Sequence, residues 1–86
     1  MPAGQASSLD KQIEEAVQLV ARLSRLENEI LGGLVNGHSM GSIATILSLA
    51  PIEVERAKGE LMRSLSASRT ADAVRIGLYA GVRLPR

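Results

Sequence analysis

Three interruptions decide what this chain can fold into. Asn36-Gly37, Ser48-Leu49-Ala50-Pro51 and Ser66-Ala67-Ser68 punctuate a sequence whose apolar residues otherwise recur at intervals of three and four. That interval marks one face of a helix, and no stretch alternates with period two, so no strand is predicted. The segments between the interruptions are a few turns long. Helices that short do not persist alone in water and must lean on one another. Two of them, separated by about three residues, make a helix-turn-helix unit over roughly 39–65.

The first of these two helices opens at Ser39, a good N-cap, and carries Ile43, Ala44, Ile46 and Leu47. Ser48-Leu49-Ala50 forms the turn. Pro51 suits the first position of the next helix, where its missing N–H costs nothing. Glu53 and Glu55 complement the dipole near that start. Val54, Ala57, Lys58, Leu61 and Leu65 share one face, and Glu55, Arg56, Gly59, Glu60 and Arg63 share the other. Thr70 is placed to cap a last helix running to about Ala80, with Ala73, Val74, Gly77 and Leu78 turned inward.

Upstream, residues 1–8 read as a flexible lead-in. Ser8 is a plausible N-cap for an amphipathic helix over 9–22, whose seam is Leu9, Ile13, Ala16, Val20 and Leu23. This helix either packs on its own domain or serves as a linker or dimerising element. The periodicity continues to Val35, yet Ser24 with Glu27 also matches a capping box that would start a new helix. Gly32-Gly33 lies inside that stretch, where each glycine costs about 1 kcal/mol relative to alanine. Close approach by a neighbouring helix is the expected compensation. Asn36-Gly37 ends the segment.

Composition narrows the function. Tyr79 is the only aromatic residue, which argues against single-strand nucleic-acid platforms built on stacking. There is no cysteine, so disulfides and thiolate metal sites are out, and a cytoplasmic location is expected. No apolar run approaches the length of a membrane span, and the N-terminus lacks a signal-peptide pattern. Residues 1–50 hold three basic and five acidic side chains, and residues 51–86 hold seven and four. The C-terminal part is therefore mildly basic, as a polyanion partner would allow.

The residues resemble a known family. Leu23-Ser24-Arg25-Leu26-Glu27-Asn28-Glu29-Ile30-Leu31 is similar to the opening of the LuxR/FixJ-type (GerE-like) helix-turn-helix domain. Gly37-His38-Ser39 resembles the family's Gly-x-Ser. Ile43-Ala44 with Leu47 and Leu49 resembles its Ile-Ala-x-x-Leu-x-Ile core. Val54, Leu61 and Leu65 fit its third helix, and Ala73-Val74 fits its fourth. The register runs ungapped from Leu23 to about Gly77, some two thirds of the chain. The resemblance implies an all-α, four-helix DNA-binding domain of bacterial transcription regulators, over 23–82, with an extra or extended N-terminal helix and a basic tail at 83–86. It implies double-stranded DNA as partner and a homodimer through residues 70–80, with 9–22 as the other candidate surface.

The departures fall on the surface that would meet DNA. Where the family carries Thr-Val-Lys-x-His, this chain has Glu53-Val54-Glu55-Arg56-Ala57. Gly59 stands where a further basic contact is usual, and Gly41 where a lysine is common. Ala50 replaces a capping serine, and Thr70 replaces an arginine that has Arg69 beside it. Ser39, Ser42, Arg56, Lys58, Arg63 and Arg69 remain as DNA-binding candidates. The competing reading is a self-neutralised face, with Arg56 paired to Glu60 and Glu60 to Arg63. A second functional reading keeps the fold and makes Glu53, Glu55 and Gly59 a protein-contact surface.

No catalytic residue, metal site or cofactor is expected. His38 is the only histidine and sits in a turn. Glu27 and Glu29 diverge on a helix, so they do not form a carboxylate pair. No serine lies in a nucleophile-elbow motif, and the glycines form no phosphate-binding loop.

Overall fold

A computed structural model describes the backbone of residues 3–82 and the side chains of residues 8–82. Five helices follow one another: α1 (Ala3–Ala21), α2 (Arg25–Val35), α3 (Met40–Leu47), α4 (Pro51–Ser64) and α5 (Thr70–Tyr79). Among the described residues there is no strand. The predicted basic tail, 83–86, lies outside the described residues.

Local chemistry sets the boundaries. At Ser24 the capping box closes in both directions: the Glu27 N–H donates to Ser24 Oγ at 3.1 Å, and the Ser24 N–H donates to Glu27 Oε1 at 2.8 Å. Two orphan donors are thereby satisfied and α2 starts afresh. Ser64 Oγ reaches the other Glu27 oxygen at 3.5 Å, tying the end of α4 to the start of α2. Glu27 thus has a structural role. α2 ends where Gly37 enters the left-handed region at φ +80°. The Gly37 N–H bonds Leu34 O and the His38 N–H bonds Gly33 O, each at 3.0 Å, a Schellman closure.

α2 is the hub. It packs against α4 and α5, while α3 packs on α4 and α1 on α5. The core is apolar: Ile30, Leu31, Ile43, Val54, Leu61 and Leu65 are its largest fully buried side chains. Two glycines let helices touch. A Cβ on Gly33 would stand 2.7 Å from Ile43 Cγ1, and one on Gly77 would stand 2.6 Å from Val35 Cγ2. The expected close approach at Gly32-Gly33 is therefore made at Gly33, by α3.

Four expectations need correction. The helix begins at Ala3, so Ser8 lies inside α1 rather than at its cap, and the described part of the 1–8 lead-in is helical. Leu9 and Ile13, which the reading of this helix as packed on its own domain would bury, are 51% and 37% exposed. The reason is length: α1 has 19 residues and α5 only 10, about 28 Å against 15 Å. α5 covers only the C-terminal part of α1, where Ala16 is buried and Leu19 and Val20 pack on the core. Leu78 is 60% exposed, because it lies well round the helix from Ala73 and Gly77, which carry the contact. The N-cap of α5 is Arg69 rather than Thr70.

Candidate nucleic-acid interface

The α3–turn–α4 unit is built from two caps and one left-handed residue. Ser39 caps α3, its Oγ accepting from the Ser42 N–H at 3.1 Å and donating to Ser42 Oγ at 3.2 Å. Both hydroxyls are exposed at that helix start. Ser48 ends α3 at φ 56°, with the Leu49 N–H returning to Ala44 O at 2.9 Å. Ala50 precedes α4 and offers no side-chain cap. Glu53 compensates, its Oε1 accepting the Ala50 N–H at 3.0 Å, which is one half of a capping box. Glu53 is therefore turned back on the turn rather than projected from the helix.

α4 hides Val54, Ala57 and Leu61 and exposes the opposite side. Ile52, Arg56, Gly59 and Arg63 recur there at intervals of four, three and four, so they run in one line along the outer surface. Arg56 and Arg63 are exposed. The expected pairs Arg56–Glu60 and Glu60–Arg63 do not form. Among the described residues the ion pairs within 4 Å are Arg25–Glu29, Arg69–Asp72 and Arg75–Asp72. Both α4 arginines thus keep their donors free. Lys58 is half-buried on the flank. It lines a shallow groove with Glu55, Gly59, Met62, Met40 of α3, Arg69 at the N-cap of α5 and Thr70 of α5.

The six predicted DNA-binding residues thus fall into three groups. Ser39 and Ser42 sit together at the α3 start, and Arg56 and Arg63 lie on the outer line. Lys58 and Arg69 share the groove, with Arg69 drawn 3.9 Å from Asp72. Of the protein-contact candidates, Glu53 is engaged in the cap, Glu55 faces the groove, and Gly59 has open space where a Cβ would go. The sequence pattern does not single out Ile52, and Ile46 enters only as an apolar residue of the first helix; they are 59% and 55% exposed on either side of the turn. Their signal was available, since Ile52 falls off the Val54–Ala57–Leu61 face. Among the described residues no polar or charged side chain is buried, and no cluster of His, Cys, Asp or Glu could hold a metal ion.

The chain is 35% identical over 68 residues to the transcriptional regulatory protein FixJ of Azorhizobium caulinodans, a match covering 79% of this chain and 32% of that protein. The crystal structure of full-length FixJ from B. japonicum superposes with a TM-score of 0.78 at 26% identity, covering 88% of this chain and 37% of that one. The resemblance to the LuxR/FixJ type holds in sequence and in fold. The FixJ-like chain spans about a third of the length of these proteins. No family model matches it. Among the described residues no helix is long and apolar enough to cross a membrane.

Proposed function

We propose that this chain is a DNA-binding domain of a FixJ-like transcription regulator, a binding protein rather than an enzyme. The observation that carries the reading is the outer line of α4, where Arg56 and Arg63 stand exposed without acidic partners. α4 enters the major groove, Arg56 reaching base edges or phosphate and Arg63 the backbone. Ser39 and Ser42 hold a phosphate through their hydroxyls, with the free N–H groups at the α3 start behind them. Lys58 and Arg69 add charge from the flank. Two copies associate through α5, with α1 as the alternative surface, and so present paired α4 helices to a two-fold site.

Duplex affinity rests on phosphate neutralisation, and α4 carries three glutamates against three basic residues. Binding is accordingly weak and salt-sensitive. Fluorescence anisotropy with a labelled mixed-sequence duplex at about 50 mM salt tests this. The expected result is saturable binding that disappears as salt rises. Absence of binding to any duplex at that salt refutes the reading.

The second reading, a protein-contact module, has one observation in its favour. Glu55 lines the groove beside Lys58 and Arg69, placing a negative charge where a phosphate would approach. A surface that binds protein and not DNA keeps its partner complex and is indifferent to duplex at every salt.

A further inference from the structure

An exposed isoleucine at the tip of an otherwise charged line has no structural explanation within this domain. Ile52 is 59% exposed at the second position of α4, while the helix buries itself through Val54, Ala57 and Leu61. It is not among the buried or half-buried apolar residues of the core, and the cap of α4 is made by Glu53 and Pro51. Its position in the line is informative. Ile52, Arg56, Gly59 and Arg63 cover about 16 Å of one helix surface, with the apolar residue at the N-terminal end and the two free guanidinium groups behind it. The N-terminal end of such a helix is the part that lies deepest in a major groove. Gly59, between the arginines, has open space where a Cβ would be, so the backbone there can lie close to a groove wall.

We infer that Ile52 is a specificity residue that packs against the C5-methyl group of a thymine, an inference that rests on the DNA-binding reading above. The methyl group is the one apolar feature that base pairs present in the major groove. A β-branched side chain, stiff at its first torsion, meets it at little entropic cost. Ile46, 55% exposed on α3 on the other side of the turn, is a second exposed isoleucine of the same helix-turn-helix unit. Arg56, one turn along the same line, is left to bond a neighbouring guanine or a phosphate. The division of labour is chemical: the arginines supply charge, which phosphates answer regardless of sequence, and Ile52 supplies a preference.

The test selects duplexes from a randomised pool with the wild-type protein and with Ile52→Ala, a surface change that leaves the core intact. The wild type should enrich one invariant thymine that Ile52→Ala no longer selects. Replacing that thymine by deoxyuridine removes only the methyl group. It should weaken wild-type binding roughly threefold to tenfold and the variant less than about twofold. The slope of affinity against salt should be the same for both proteins, because no charge is removed. The inference is overturned if the wild type binds duplex equally well with every thymine replaced, or if Ile52→Ala selects the same sequence. Either result leaves the DNA reading standing and removes Ile52 from sequence recognition. Failure of the wild type to bind the pool at all overturns the DNA reading and this inference together.

Discussion

Two glycines in helices should respond to alanine with opposite signs, because one faces a neighbour and the other faces solvent. Replacing an interior helical glycine by alanine stabilises by about 1 kcal/mol through backbone entropy alone. At Gly59 nothing lies within 4 Å of the added Cβ, so that gain is realised in full. It corresponds to a rise in Tm of about 4–8 °C for a domain of this size. At Gly33 the Cβ would sit 2.7 Å and 2.9 Å from Ile43 Cγ1 and Cδ1. Ile43 is 2% exposed and packed between helices, so it cannot swing clear. Overpacking of this kind costs about 1–3 kcal/mol, which exceeds the propensity gain over nearly all of that range and makes the net effect destabilising. The decisive form is a cycle. Ile43→Ala alone costs about 2–5 kcal/mol, but it removes both clashing carbons. In that background Gly33→Ala should turn stabilising, by about 1 kcal/mol. Urea denaturation followed by circular dichroism measures all four proteins. A Gly33→Ala protein as stable as Gly59→Ala, or no change of sign in the Ile43→Ala background, refutes the packing argument.

Other expectations follow from the same geometry. Ala50 already has extended backbone angles at the N-cap of α4, so Ala50→Ser should add about 1 kcal/mol of stability, read by the same denaturation. Ser24→Ala opens the capping box of α2 and should cost about 1 kcal/mol, again by urea titration. Glu55→Lys should strengthen duplex binding and steepen its salt dependence by about one unit. If α4 serves protein contact instead, the substitution leaves DNA untouched. On the proposed dimer reading, the exposed Leu9, Ile13 and Leu78 are the apolar residues through which α1 and α5 would associate. Changing all three to serine should leave the monomer folded and abolish any dimer seen by sedimentation equilibrium.

Most of the fold was legible because short-range chemistry marks its boundaries. Ser24 with Glu27, Ser39, Gly37 and Pro51 each solve a local hydrogen-bonding problem, and the structure uses each at the predicted place. The helical state of residues 3–8 was not legible, since Ser8 offers an N-cap signal that lies inside the helix and is not used. The exposure of Leu9 and Ile13 was not legible either. Periodicity shows that a face is apolar, while coverage depends on the length of the helix that meets it. At the α4 surface, spacing allowed Arg56–Glu60 and Glu60–Arg63, but spacing only permits such pairs. Exposed i,i+4 pairs gain a few tenths of a kcal/mol, too little to dictate where long side chains settle. Glu53 shows the converse, its carboxylate captured by the Ala50 N–H because the alanine cap offers nothing else. The exposure of Ile52 follows from spacing alone, because it falls off the Val54–Ala57–Leu61 face.

On the proposed reading, the outer line of α4 meets phosphate through Arg56 and Arg63. The salt dependence of duplex binding tests it most directly. For the wild type, log affinity should fall linearly with log salt concentration, with a slope of roughly −2 to −4 for two to four phosphate contacts. Arg56→Gln and Arg63→Gln should each make the slope shallower by up to about one unit. A slope indifferent to both substitutions, or no duplex binding at low salt, would contradict the account.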